Sequence, residues 1–442
     1  MSTSSDTIVS IATPPGVGGI GIVRLSGDAV NRIGEVLLDK RPRPRRATLL
    51  SFRDAQGRAI DRGIALYFPG PNSFTGEDVL ELHGHGGPVV MSMLVDAAVS
   101  CGARRADPGE FSKRAFLNDR LDLVQAEAIA DLISAGTSQA ARAALRSLSG
   151  DFSDAVNSLL QKLIELRVHV EAAIDFPEEE IDFLSDAGLA KSIDEVARAF
   201  DGLQERANQG RVLRDGLQLV IVGKPNAGKS SLMNRLSGED TAIVTEIAGT
   251  TRDVLRERIN IDGLAVELVD TAGLRENPDV IEAEGIRRAR DAMTRADAIL
   301  WIQDVTDAGP VALGERLPDD TPVLVVRNKA DLLDGPPSSG VEIYLSAKTG
   351  AGIDELRRRI LVLAGYSNAG GGALTARGRH VDALRRAARH FEAGREALES
   401  SRAGELLAEE LRLAQEDLGE ITGAVSSDDL LGQIFSSFCI GK

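Results

Sequence analysis

The stretch GKPNAGKS, residues 223–230, decides how this chain is read. It fits G-x-x-x-x-G-K-[ST], follows the apolar run LQLVIV and precedes SLMNRLSG, whose spacing is helical. Strand, glycine-rich loop and helix in that order make a phosphate cradle, because the glycines let backbone N–H groups approach phosphate oxygens. Asn226, Ala227, Gly228, Lys229, Ser230 and Ser231 are its candidate nucleotide contacts. Lys229 would reach the β- and γ-phosphates, and Ser230 would hold Mg²⁺. A simple glycine-rich turn would use the same letters, so the surrounding chain must decide.

Three further segments do so. DTAG (270–273) ends the apolar run LAVELVD. It sets Asp270 near Mg²⁺ through water and the Gly273 N–H at the γ-phosphate, with Thr271 and Ala272 between. NKAD follows the run PVLVVR and supplies Asn328, Lys329, Ala330 and Asp331. Asp331 can accept from guanine N1–H and the exocyclic amine. Adenine lacks that pattern and would leave the carboxylate unpaired, which a site built for two donors penalises. SAK, residues Ser346, Ala347 and Lys348, can present backbone N–H to guanine O6. The expected substrate is therefore GTP.

Hydrolysis poses a separate question. GTTRD (249–253) stands where a first switch belongs, with Thr251 as second Mg²⁺ ligand. The residue after DTAG is Leu274, which cannot orient water as a glutamine there would. Asn226 could hold a monovalent cation that neutralises charge between the phosphates, or could merely brace the loop by a hydrogen bond. Arg252 could instead act as a finger in cis.

Outward from this region, strands alternate with helices over residues 213–372, which predicts a parallel sheet. Residues 1–118 read as a mixed α/β segment, with strands in TIVSIAT, GGIGIVRLSG, GIALYFP and DVLELHG and a helix from Pro88 to Ser100. Residues 119–212 and 373–442 read as long helices. Val156, Leu159, Leu160, Leu163, Leu166 and Val170 recur at helical spacing in the first of these. The fold expected is multidomain: a P-loop α/β domain inserted into a helical domain, behind an N-terminal α+β domain.

Composition narrows the rest. In 442 residues there are two cysteines, Cys101 and Cys439, so a disulfide framework is not expected and a cytoplasmic setting is. No leader-like N-terminus and no apolar run of membrane length are seen, so no membrane partner is expected. The net charge of −16 argues against a broad nucleic-acid groove. The basic stretch KRPRPRR (40–46) is a solvated loop or a local RNA contact. His83 and His85 lack companions for a metal site and read as structural, as does Cys101.

The chain resembles the MnmE (TrmE) family of tRNA modification GTPases over essentially its whole length. The resemblance rests on ATPPGVGGIGIVRLSG, EDVLELHGHGGP, EFSKRAFLNDRLDLVQAEAIADLI, GKPNAGKSSLMN, IAGTTRD, DTAGLRE and the terminal CIGK. It implies an N-terminal domain similar to tetrahydrofolate-binding domains, through which the chain forms a homodimer. It implies a flavoprotein partner, MnmG (GidA), in a heterotetramer that modifies C5 of the wobble uridine of certain tRNAs. A reduced folate (5,10-methylenetetrahydrofolate or 5-formyltetrahydrofolate) would bind at Arg24, Glu81, Arg120 and Lys442. Arg120 stands where the family is expected to have Lys, which changes a point charge into a planar fork. K⁺ would be held by Asn226, Thr245, Ile247 and Thr250 where two G domains meet. Glu246, Ala248 and Gly249 would join the nucleotide contacts, and Glu282 would orient the attacking water. Lys229 and Cys439 complete the implied catalytic set.

Cys439 keeps three readings: a prenylation box, for which the final Lys442 is a poor terminal residue; a thiol packed beside Phe435 and Phe438; or a thiolate acting in one-carbon chemistry. A second class of function also stands, a GTP switch that docks on ribosomal RNA without modification chemistry.

Overall fold

The computed structural model describes residues 6–175, 187–239, 256–270, 292–307, 321–333, 342–366, 374–425, 428–438 and 441. The chain divides into two compact units. One comprises Met1–Ala130, Leu148–Glu180 and Arg389–Lys442; the other comprises Asp131–Ser147 and Ile181–Ala388.

The first unit is built on β1 (Ile8–Ile11), β2 (Gly18–Ser26), β3 (Thr48–Arg53), β4 (Ala59–Phe68), β5 (Val79–Gly86) and β6 (Arg104–Arg105). They form one sheet in the order β3-β4-β5-β2-β1-β6, antiparallel except where β6 pairs with β1. Helices α1 (Val30–Leu37) and α2 (Pro88–Ser100) contribute to the core with the sheet. Val23, Leu25, Leu80 and Leu82 of the sheet meet Ile33 and Leu94 of those helices there. Because strand side chains alternate, Arg24, Glu81 and His83 point to the opposite face from these residues.

The same unit contains α3 (Glu110–Leu117) and, beyond α4 (Leu123–Ser134) and α5 (Ser138–Leu148), the long helix α6 (Asp151–Asp175). Of the six apolar positions predicted for α6, five are buried and Leu160 is half-buried. Its partner is a helix far along the chain, Gly404–Thr422. The helix Asp428–Ser436 packs on α3, with Phe435 and Phe116 ring centroids 6.4 Å apart. Distant helical segments thus pack together, as the sequence predicts.

The second unit carries α7 (Ala187–Asp215), α8 (Lys229–Glu239) and a sheet of β7 (Leu217–Gly223), β8 (Arg256–Ile261), β9 (Leu264–Asp270), β10 (Ala298–Asp304), β11 (Val323–Asn328) and β12 (Ile343–Tyr344). Strand order is β12-β11-β10-β7-β9-β8, parallel apart from β8. The antiparallel β8 is absent from the sequence reading. Its hairpin turns on Asp262 and Gly263, both at positive φ, which matches the twist of a two-residue hairpin. Thr137 Oγ1 donates to Gly263 O at 2.8 Å and so ties this turn to the start of α5. The nearly buried Asp131 Oδ1 accepts from Arg214 Nε (2.9 Å) and Arg377 Nη2 (2.8 Å), joining α7 to the segment after residue 373 within this unit. Among the described residues no helix is long and apolar enough to cross a membrane.

Candidate functional sites

The C-terminal ends of β7, β10, β11 and β12 converge, as expected where ligands bind in open parallel sheets. β7 stops at Gly223 and α8 begins at Lys229, so the loop 224–228 feeds directly into a helix N-terminus. Lys229 is buried and its Nζ donates to Gly223 O (2.9 Å) and Lys224 O (3.0 Å). Gly228 has φ +91, and a Cβ there would stand 2.2 Å from Asn328 Nδ2, so both backbone and space require glycine. Asn226 has φ +65, a left-handed conformation that asparagine tolerates better than most residues. Its side chain makes no hydrogen bond among the described residues, and it is exposed.

Asn328 organises the site. It is 2% exposed and links three loops. Its Nδ2 donates to Ala227 O at 2.8 Å, while its Oδ1 accepts from Lys329 N (2.8 Å) and Ala347 N (3.0 Å). Phosphate loop, NKAD and SAK are thereby held by one amide. Ala330 N also donates to Leu345 O (3.0 Å), joining the last two again. Lys329, at φ +67, pairs with Asp304 Oδ2 at 2.6 Å, and this bond holds the Asp304 carboxyl below its ordinary range. Asp331 is exposed; the Ser346 hydroxyl bonds to its carboxyl and, with Lys348 and Lys329, keeps it ionised below the usual range. An ionised, accessible acceptor is what reading two guanine donors requires. The Asn328 bridge and Asp304 are not singled out by the sequence. In the sequence the asparagine is visible only as the first letter of NKAD at the end of an apolar run.

A second cluster lies on the N-terminal sheet. Arg24 and Glu81 are cross-strand partners. Arg24 Nε and Nη2 both lie on Glu81 Oε1, at 2.9 and 2.8 Å, and His83 Nε2 lies 3.0 Å from Glu81 Oε2. The Arg24 guanidinium sits 5.6 Å from the Phe74 ring centroid and 5.8 Å from that of Phe111. His83, read from sequence as structural, lies in this cluster; its period-two spacing from Glu81 is the signal that could have found it. His83 and His85 join no metal-ligand cluster among the described residues. Arg120 is exposed and its side chain lies beside Gly76. Gly441, at φ +98, has its Cα so close to β1 that a Cβ would be 2.2 Å from Ile11 O and 3.3 Å from Ser10 Oγ. Ser10 is the cross-strand partner of Arg24, so the end of the chain meets the strand next to the cluster. Cys101 is half-buried against the core of the first unit, and burial pushes its thiol pKa up against the opposing Arg32 charge, consistent with a structural role.

Compared with known families, residues 7–120 match the family described as "GTP-binding protein TrmE N-terminus" and residues 123–439 match "MnmE helical domain". The chain belongs to the MnmE (TrmE) family of tRNA modification GTPases. The helical MnmE match encloses the whole P-loop sheet, which is the insertion expected from sequence. A relative from Aeromonas salmonicida (strain A449), the tRNA modification GTPase MnmE, is 54% identical and covers 99% of this chain and 100% of its own. Solved structures show local likeness only. The FeoB G-domain of Methanococcus jannaschii is 25% identical over 34% of this chain and 97% of its own, with TM-score 0.25. A Sulfolobus solfataricus GTP-binding protein in complex with GDP is 21% identical over 47% of this chain and 66% of its own, with TM-score 0.26. Such scores add nothing to the fold, which rests on strand order and on the MnmE family itself. Thr245, Glu246, Ile247, Ala248, Gly249, Thr250, Thr251, Thr271, Ala272, Gly273, Glu282, Cys439 and Lys442 lie outside the described residues.

Proposed function

We propose that this GTPase couples GTP hydrolysis to modification at C5 of the wobble uridine in certain tRNAs. It acts as a homodimer with the flavoprotein MnmG and uses a one-carbon unit from a reduced folate. The observation that carries this reading is the presence of two different sites in one MnmE-family chain: a guanine nucleotide site, and an Arg24–Glu81–His83 row whose guanidinium lies near the Phe74 and Phe111 rings.

The side chains fit the groups they would hold. Ser230, directly after Lys229 at the start of α8, offers the hydroxyl a Mg²⁺ ion takes, with Thr251 as its companion. Mg²⁺ would neutralise phosphate charge. Asn226, left-handed and exposed, keeps its amide oxygen free for K⁺, with Thr245, Ile247 and Thr250 completing the set. K⁺ would offset charge between the phosphates where two G domains meet. Lys229 binds the β- and γ-phosphates, and Glu282 orients water. In the folate site Glu81 has used both oxygens on Arg24 and His83, yet a carboxylate offers about four lone-pair sites, so a pterin edge can still be accepted. The half-buried Phe74 ring offers flat surface for a pterin, and Arg120 and Lys442 offer charge for its glutamate tail. Segments 1–118, 119–212, 213–372 and 373–442 are the domain units of this scheme.

The test is nucleoside analysis. A strain lacking the gene is complemented with wild type or with Glu81→Ala, and wobble nucleosides are measured by mass. Wild type should restore C5-modified uridine and Glu81→Ala should not. Unmodified wobble uridine with wild type, or full restoration by Glu81→Ala, refutes the scheme.

A further inference from the structure

In a chain of net charge −16, residues 40–46 gather five cations: Lys40, Arg41, Arg43, Arg45 and Arg46. All five are exposed, and one carboxylate, Asp39, immediately precedes them. Among the described residues none of the five forms an ion pair. Acids outnumber bases in the chain, 67 to 51, yet these five stand without an acid partner among the described residues.

The segment is also held in place. Pro42 is buried. Pro44 bridges to Tyr67, and Arg45 N donates to Tyr67 O at 2.8 Å. Arg45 reaches the Asn72 carbonyl and lies 5.8 Å from the Phe68 ring centroid. Arg41 donates to Asn31 Oδ1 at 2.8 Å and lies 5.9 Å from the Tyr67 ring centroid. Lys40, Arg43 and Arg46 show no side-chain partner, so their charge is directed to solvent. Fixing the backbone beforehand lowers the ordering cost of binding a polyanion.

Resting on the tRNA reading above, we infer that residues 40–46 form a contact for the phosphate backbone of RNA at the β3 edge of the N-terminal sheet. A sugar-phosphate backbone fits the chemistry, because the segment offers point charge and guanidinium forks. The exposed pair Leu49 and Ile64 on the neighbouring hairpin makes an anionic membrane the competing ligand.

The test uses the full chain and unmodified tRNA transcript. Binding is measured across a salt series for wild type and for the triple variant Lys40→Gln, Arg43→Gln, Arg46→Gln. The slope of log affinity against log salt should fall by about 2–3, because each lost phosphate contact removes nearly one unit. Arg43→Lys with Arg46→Lys should keep the wild-type slope, since phosphate accepts either cation. Equal slope and affinity in wild type and triple variant, with unchanged thermal unfolding, overturn the patch alone. Absence of tRNA binding by wild type overturns the tRNA reading itself. Binding to phosphatidylserine vesicles that the triple variant loses, with tRNA binding intact, also overturns the inference.

Discussion

Replacing Asn328 by Ala removes the amide that holds the phosphate loop, NKAD and SAK together. Three hydrogen bonds go: from Nδ2 to Ala227 O, and from Lys329 N and Ala347 N to Oδ1. Each is worth about 1 kcal/mol net, and partners left buried and unpaired cost more, so a loss of about 3 kcal/mol is expected. For a unit of this size 1 kcal/mol moves the midpoint by roughly 2–4 °C, giving a fall of about 6–12 °C. Calorimetry of the full chain identifies the transition concerned, because it is the one that added GDP raises. In the same variant GDP affinity should drop at least about tenfold, since the loops no longer meet in one geometry and 1.4 kcal/mol suffices for that factor. A midpoint within about 2 °C of wild type, or unchanged GDP affinity, refutes the bridging role.

Asp331→Asn should weaken guanine nucleotides and favour xanthine nucleotides in competition binding, because the replaced acceptor becomes partly a donor; retained guanine preference sinks the base-reading assignment. Burial pushes the Glu110 pKa up, but hydrogen bonds from Arg104, Asp107 N and Arg114 outweigh it and the net shift is downward. A lowered folded pKa stabilises above the unfolded value, 4.5, and the benefit is lost as pH falls through the folded value. The transition insensitive to GDP should therefore be steady above about pH 5 and decline below it, and Glu110→Gln should flatten that decline. Gly441→Ala places a Cβ 2.2 Å from Ile11 O at φ +98. Reduced-folate affinity by calorimetric titration should fall as far as in a chain lacking residues 439–442, and wild-type affinity in Gly441→Ala would refute tail docking.

The parallel strands were legible because LQLVIV, LAVELV, AILWIQ and PVLVVR are near-continuous apolar runs, as strands buried on both faces must be. The antiparallel β8 escaped because RERINI opens on three consecutive charges, Arg256, Glu257 and Arg258, and only Ile259–Ile261 alternates as a strand would. Its signal was the turn: Asp262–Gly263 between Ile261 and Leu264 is a hairpin signature, and the register confirms it. Residues of the nucleotide site were legible where chemistry fixes spacing, as with Lys229 and Asp331. Asn328 was legible only as a motif letter, since its work is a set of contacts to Ala227 and Ala347, 101 and 19 residues away. Long-range partners of that kind leave no local period. Arg24 and Glu81 came from resemblance alone; 57 residues separate them, and only the β2–β5 register reveals that they pair.

The same limit explains why the thiol near the end of the chain resisted reading. Nothing in FSSFCIGK says where the segment goes. Phe435 packs on Phe116 and lies 5.4 Å from Phe438, so the helix preceding the tail is anchored on α3. Gly109 is part of that fit: a Cβ there would stand 2.6 Å from Phe435 O. Gly441 then meets β1 beside Ser10, whose cross-strand neighbour is Arg24. Two fixed points, Phe438 and Gly441, lie on either side of Cys439 in sequence, and Gly441 sits on β1, the strand next to the one that bears Arg24. A glycine three residues from the anchored Phe438 supplies the close approach that any side chain would block. On the proposed folate reading, any part taken by Cys439 and Lys442 would depend on this close approach of Gly441 to β1.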